Sequence, residues 1–289
     1  MTTVVALMTC HNRREKTTGC LRSLRRQNAP GVSLRVVLID DGSTDGTAGA
    51  AQEVWPGIHV VRGDGSLFWA RGMAAAEAAA SAYDFLLWLN DDVVLDDGAL
   101  SRMLTTHRAL AEVREEAIVV GAVRDPSSGV LTYSGVRRTS WLHPTRFAPV
   151  VPGDTPVPAD TMHGNVVLVP RCVAARVGPI DGVFGHGMAD FDYGLRAREL
   201  GVRIRVAPGT LGTCARNSPN GSWRDPTLPI RQRLRLMRAP KGLPPRSWLR
   251  FTRRHAGPMW LMYWLSPYAR ILAGAVVTRI RHGARGVVR

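Results

Sequence analysis

Phe85-Leu86-Leu87-Trp88-Leu89 runs directly into Asn90-Asp91-Asp92, and this polar cluster has the residue types and spacing to do chemistry. An apolar run of that length reads as a strand buried on both faces. Its C-terminal end is where open parallel sheets bind ligands. Carboxylates this close repel one another, so burying them requires a compensating cation. Their hard oxygens suit Mg²⁺ or Mn²⁺, ions commonly held by few carboxylates together with substrate phosphates. The competing reading is a strand that ends in a solvated acidic turn.

Other strands must position such a turn, and the chain supplies them in order. Thr3 to Met8 is a strand candidate broken by Thr9-Cys10-His11-Asn12-Arg13, and Arg14 to Gln27 reads as a helix with Cys20, Leu21 and Leu24 on one face. Leu34 to Ile39 is a second strand ending in Asp40-Asp41-Gly42-Ser43-Thr44-Asp45-Gly46, a turn rich in Asx and Gly. Thr47 to Val54 is a short helix, Ile58 to Val61 a third strand, and Gly72 to Ala82 an Ala-rich helix leading to Phe85. Strands alternating with helices predict a mostly parallel α/β sheet. Beyond residue 117 the pattern is less regular. Residues 118–123 and 165–169 read as strands, the Pro-rich stretch 140–160 as loop, and Phe191 to Leu200 as a helix.

Hydrophobic residues at 45% and charged residues at 21% describe a packed globular chain. Cys10, Cys20, Cys172 and Cys214 form no CxxC pair, which argues against a disulfide scaffold or a zinc site. The first residues lack the basic and apolar regions of a signal peptide. A cytoplasmic setting is therefore expected.

The net charge is +15, unevenly spread: residues 231–289 hold 14 Lys or Arg and no Asp or Glu. Residues 1–230 balance 24 basic against 23 acidic groups, a net +1. A basic tail on a neutral body reads as a surface anchor or partner arm rather than a nucleic-acid groove. Ala256 to Ala269 is uncharged and carries Trp260, Tyr263, Trp264 and Tyr268, with Arg270 ending it short of the ~20 apolar residues of a span. Aromatics flanked by arginines predict an interfacial segment on an anionic membrane, at the inner face of the plasma membrane. The alternative is a tail that packs on the catalytic domain or on a second subunit in a homo-oligomer.

Several stretches, in order, resemble family 2 glycosyltransferases of the GT-A fold. They are Met8–Arg13, Leu38–Thr47, Leu89–Val93, Gly164–Arg171 and Gly185–Arg196. The resemblance covers roughly residues 3–220. It implies a GT-A catalytic domain over 1–230, with a nucleotide-sugar half at 1–117 and an acceptor half at 118–230. Residues 231–289 form the basic aromatic appendage, expected to be helical.

The implied function is inverting, metal-dependent transfer of a hexosyl or deoxyhexosyl group from a UDP- or dTDP-sugar to a glycan or lipid-linked hydroxyl. A bacterial-type surface glycan is the implied product. The family pattern places Thr9 and His11 on the nucleotide and Asp41 on the base, with Asp40 or Asp41 serving only the turn. Asn90-Asp91-Asp92 matches the DXD position: Asp92 and Asn90 toward the metal, Asp91 toward ribose or metal. Arg71, after Gly63–Leu67, can reach a donor phosphate or be a solvated loop arginine. Gly164 and Asn165 fall on the acceptor side, as does His186, unless it is a plain surface histidine. Asp190 takes the general-base position, with Asp192 as the alternative because Ala189 replaces the family's usual Glu. Asp192 is spaced to pair with Arg196 at i,i+4. The stretch Leu211–Asn217 lacks the His many relatives carry there, and Arg216 can neutralise diphosphate instead. Trp69 loosely resembles rhamnosyl- or galactofuranosyl-transferring relatives. The competing classes are a nucleotidyltransferase and a catalytically inactive nucleotide-sugar-binding protein.

Overall fold

The structure is a computed structural model that describes residues 1–216 and 220–285, with side chains through Leu272. Asn217 and the side chains of the last arginines lie outside the described residues. The chain divides into two compact units, Met1–Thr139 with Phe147–Arg216, and Ser140–Arg146 with Asn217–Arg289.

The first unit opens with β1 (Thr2–Cys10), α1 (Arg14–Arg25), β2 (Val32–Asp40), α2 (Thr47–Val54), β3 (His59–Arg62), α3 (Phe68–Ala79) and β4 (Phe85–Leu89). After β5 (Val94–Leu95) and α4 (Ala99–Glu112) come β6 (Ala117–Arg124), β7 (Leu131–Tyr133), β8 (Gly135–Arg138), β9 (Phe147–Pro149), β10 (Val157–Ala159) and β11 (Thr161–Met162). The unit closes with β12 (Val166–Pro170), α5 (Arg171–Val177), α6 (Ala189–Glu199) and β13 (Arg203–Thr213). The main sheet runs β10-β13-β6-β12-β4-β1-β2-β3, and β11-β8-β9 form a small second sheet. Six of those eight main strands share one direction, and β12 and β10 run against them. This is the mostly parallel mixed sheet flanked by helices that the alternating pattern predicts.

The centre of the sheet is dry. Leu86, Leu87, Trp88 and Leu89 of β4, Val166 to Val169 of β12 and Ile118 to Val120 of β6 are 0–1% exposed. Each such side chain contributes about 1.5–3 kcal/mol of burial. The polar Asn90-Asp91-Asp92 turn therefore leaves the end of a strand that cannot move without opening the core.

Three local expectations are corrected. The Ala-rich helix begins at Phe68, not Gly72, so Trp69 and Arg71 are helical rather than in a loop. The cause is distant: the Asp41 carboxylate accepts the backbone N–H groups of Leu67 (3.2 Å) and Phe68 (2.9 Å) and so caps the helix. That helix ends at Ala79, and Ala82 sits at φ 45°. The Pro-rich stretch is not wholly loop, for it contains β9 and β10. Pro158 is tolerated because β10 is an edge strand.

The second unit contains α7 (Ile230–Arg238), α8 (Pro245–His255) and α9 (Trp260–Arg285). Among the described residues no helix is long and apolar enough to cross a membrane.

Candidate active site

Asp40 and Asp41 follow β2 and are 1% and 3% exposed. Asp40 Oδ1 accepts the Ser43 N–H at 3.1 Å and tightens its own turn. Asp41 reaches further: Oδ1 accepts from Gly65 (2.8 Å) and Leu67, and Oδ2 from Phe68, so one carboxylate orders the segment ahead of α3. Phe68 adopts φ 53°, a left-handed conformation rare for a bulky residue and held here by that bond. His11 Nδ1 donates to the Asp41 carbonyl at 2.6 Å, which directs its Nε2 lone pair elsewhere. Thr9, at the end of β1, lies against Gly72, where a Cβ would collide with the Thr9 hydroxyl. Arg71 is exposed and its aliphatic stem lies beside Gly182.

The Asn90-Asp91-Asp92 turn meets its compensating cation within the chain. Arg13 NH1 lies 3.0 Å from Asp91 Oδ1 and Arg13 NH2 2.6 Å from Asp92 Oδ2. Asp91 is 4% exposed, and its Oδ2 is a buried oxygen with no hydrogen-bond partner. Burial pushes the Asp91 carboxyl up to about 7, against the pull of Arg13 and with a further push from Asp92. The Cys214 thiol, raised to about 12 by burial and by Asp92, is a neutral donor 3.5 Å from Asp92 Oδ1.

Trp69 joins this turn to Gly164 and the segment before β12. Its indole N–H donates to Asn90 Oδ1 at 2.7 Å, and its ring packs edge-on to Trp88 with centroids 6.1 Å apart. The face of Gly164 rests on the Trp69 ring, where any Cβ would clash. The Gly164 N–H donates to Asp190 Oδ2 at 3.0 Å. Asn165 is buried, its carbonyl accepts the Asn90 N–H at 3.0 Å, and its amide points to Cys214 Sγ at 3.7 Å. Asn90, Trp69, Gly164 and Asp190 therefore form one continuous chain of contacts.

The two aspartates of α6 differ. Asp190 is half-buried, and its Oδ1 accepts the Phe191 N–H at 2.9 Å. Burial raises its carboxyl, while His163 and the two backbone amides pull the other way. His163 donates from Nδ1 to the Ser134 carbonyl at 2.9 Å and packs edge-on against Tyr133 and Phe191. Burial lowers His163, which keeps the imidazole neutral at pH 7. Asp192 is fully buried, and its Oδ2 accepts from Arg196 Nε at 2.9 Å. The same guanidinium donates to the carbonyls of Val177 (2.5 Å) and Pro179 (3.0 Å), so Asp192 latches the turn after α5. Met188, just before α6, sits at φ 74°. His186 is exposed on the loop that precedes it.

Sequence reasoning did not single out Arg13, His163 or Cys214. Arg13 offered a signal, a basic residue in the polar break after β1. His163 and Cys214 acquire meaning only from packing.

The sequence model of the family described as Glycosyl transferase family 2 matches residues 5–167, more than half of the chain. The chain belongs to glycosyl transferase family 2. Within this family 2 chain the match takes in Thr9, His11, Asp41, Arg71, Asn90 to Asp92, Gly164 and Asn165, and ends before Asp190. Solved structures share the GT-A fold. The crystal structure of GalNAc-T7 with UDP, GalNAc and Mn²⁺ superposes with a TM-score of 0.61 at 14% identity, over 75% of this chain and 43% of that one. TarS residues 1–349 from S. aureus give 0.56 at 16% identity, over 86% of this chain and 66% of that one. A second S. aureus TarS structure gives 0.55 at 17%, over 86% and 40%. The family 2 chain thus spans less than two thirds of each of these relatives. No curated protein sequence matches it.

Proposed function

We propose that this chain is an inverting glycosyltransferase, moving a hexosyl or deoxyhexosyl group from a UDP- or dTDP-sugar to a hydroxyl of a glycan or lipid-linked acceptor. The supporting observation is the contact chain from Asn90 through Trp69 and Gly164 to Asp190, which begins inside the residues the family 2 model matches. It links the turn that faces a donor diphosphate to a carboxylate able to take a proton. Asp190 removes the acceptor hydroxyl proton, the acceptor oxygen bonds to the anomeric carbon, and the bond from that carbon to the diphosphate oxygen breaks. Attack opposite the leaving group inverts the carbon. Its raised pKa makes Asp190 a stronger base than an exposed aspartate.

A divalent cation fits the turn as a partner of the diphosphate. Asp91 Oδ2 is a buried oxygen without a partner, and Asp92 supplies a second hard donor. Among the described residues no group of three His, Cys, Asp or Glu is arranged to hold a metal alone, so substrate oxygens complete the shell. Asp92 and Asp91 would hold the ion, while the Asn90 oxygen already accepts from Trp69. Bound Mg²⁺ or Mn²⁺ supplies positive charge to the leaving diphosphate. The GalNAc-T7 structure, with UDP and Mn²⁺, supports that pairing. Arg13 neutralises the same carboxylates in the absence of donor, and Arg71, exposed in the first turn of α3, would meet a donor phosphate.

The test is donor turnover. The chain is incubated with UDP-, dTDP- and GDP-sugars, with Mn²⁺, Mg²⁺ or chelator, and slow hydrolysis of each donor is measured. Metal-stimulated hydrolysis of a UDP- or dTDP-sugar is expected. Metal-dependent nucleotide binding without any turnover would instead favour an inactive nucleotide-sugar-binding protein.

A further inference from the structure

The second unit carries surface chemistry that the transfer reaction does not use. Trp260, Tyr263, Trp264 and Tyr268 of α9 turn inward. The Trp264 indole donates to the Pro245 carbonyl at 3.2 Å, the Trp248 indole to the Trp264 carbonyl at 3.1 Å, and the Tyr263 hydroxyl to the Leu142 carbonyl. Arg253 lies over the Trp260 ring at 5.5 Å. These aromatics fasten α9 to its own unit. Among the described residues α9 exposes Arg270 and a set of apolar side chains: Leu261, Met262, Leu265 and Leu272 are 48–54% exposed. At 3.6 residues per turn they fall, with exposed Ala269, in a stripe roughly 100° wide. Buried Pro267 and Ile271 occupy the other side.

The shorter helices complement that stripe. On α7, exposed Arg231, Arg235 and Arg238 recur at i, i+4 and i+7. On α8, exposed Arg246, Arg250, Arg253 and Arg254 repeat the spacing. No Asp or Glu follows residue 230. The same helices of a second copy would bring like charge against like charge. An anionic lipid surface matches both features, with acyl chains for the stripe and phosphates for the exposed arginines.

We infer that the unit of Ser140–Arg146 and Asn217–Arg289 is a docking module for anionic membranes, with the aliphatic stripe of α9 as the inserting face. The aromatics that dominate its sequence are its internal packing. This inference deepens the lipid-linked-acceptor reading by naming the surface that delivers the chain to it, yet it is tested without any sugar transfer.

The full chain is floated with vesicles of phosphatidylcholine alone and of phosphatidylcholine mixed with phosphatidylglycerol. Binding is expected to the mixed vesicles only, and to weaken as salt rises. Leu261→Ser, Leu265→Ser and Leu272→Ser combined should cut vesicle affinity roughly tenfold or more, since each removes apolar area from the lipid contact. Arg235→Gln with Arg246→Gln should weaken it further and flatten the salt dependence. Unchanged melting temperature and donor hydrolysis in these variants separate a failure of docking from a failure of the transferase reading. No flotation with mixed vesicles overturns the inference, as does flotation that ignores the serine substitutions. A dimer in light scattering that those substitutions dissolve, without vesicle binding, assigns the stripe to a second copy and also overturns it.

Discussion

The Asn90-Asp92 turn and the first turn of α6 each bring two aspartates to the site, and they hold charge in different ways. At the first, Asp91 and Asp92 share one guanidinium, that of Arg13. At the second, the pair is split. Asp192 is locked to Arg196 in the interior, whereas Asp190 keeps partial exposure and is held by two backbone amides beside a neutral imidazole. A carboxylate clamped by a full positive charge is held by that ion pair, even where burial raises it as at Asp91. One held by amides, and raised by burial, keeps the affinity for protons that a base requires. The comparison teaches that the neighbours each carboxylate meets, a guanidinium or backbone amides, set how its charge is held.

Exchanging the roles within α6 should produce the largest effect. Asp190→Asn is expected to lower turnover ~10²-fold or more while leaving donor affinity nearly unchanged. Asp192→Asn should instead cost stability, about 2–4 kcal/mol in denaturant unfolding, because it uncouples a buried ion pair. Its activity per folded molecule should persist. A dead Asp192→Asn beside an active Asp190→Asn reverses the assignment. The pH profile sharpens the same point. Only ionised Asp190 accepts a proton and burial raises its pKa, so kcat should fall with decreasing pH at a midpoint above the ordinary ~3.9 of an aspartate. An acid limb at or below that value removes Asp190 as base.

At the other turn, Asp92→Ala should weaken metal-dependent UDP or dTDP binding ~10²-fold, read by calorimetry with and without Mn²⁺. Equal metal dependence in both proteins excludes Asp92 from the donor site. Arg13→Met tests the clamp and should be milder. Arg13 is about one-third exposed, so its loss should cost about 1–2 kcal/mol without metal. Mn²⁺ should then raise the melting temperature of the variant more than that of the parent chain, since uncompensated carboxylates attract the ion. Identical shifts would show that Arg13 does not compete with the metal.

The smallest effect concerns Glu77 of α3, a carboxyl outside both turns. Burial raises it to about 7, against the pull of Arg196. The unfolded chain ionises this group near ~4.3. Between about pH 4 and 7 the folded protein holds a proton that the unfolded chain has released, so stability falls as pH rises across that window. Glu77→Gln should remove the dependence and add ~1–2 kcal/mol above pH 7 by thermal unfolding. A parallel pH dependence in both proteins would assign it elsewhere.

Much of the first unit was legible in the residues. β4 runs over Phe85–Leu89 as the apolar run predicts, and α2 spans Thr47–Val54 as its pattern does. Such elements declare themselves because burial acts on consecutive side chains and periodicity records it. The strand β13 was not legible. Its eleven residues, Arg203–Thr213, alternate with arginines, contain Pro208-Gly209 and shift register twice against β6. Only pairing across the sheet makes that stretch a strand. Likewise nothing in residues 140–146 announces that they pack with the C-terminal helices.

The sequence by itself determined the family, the order of strands and helices through β4, and the position of each acidic turn, because these depend on local pattern and on motifs short enough to read. The tertiary structure alone decided that Asp41 caps α3, that Arg13 clamps Asp91 and Asp92, that Trp69 spans from Asn90 to Gly164, and that the aromatics of α9 face inward. Each of these joins residues brought near by folding, and the fields and contacts that set a carboxylate's role fall off within a few ångströms of space, whatever the separation along the chain.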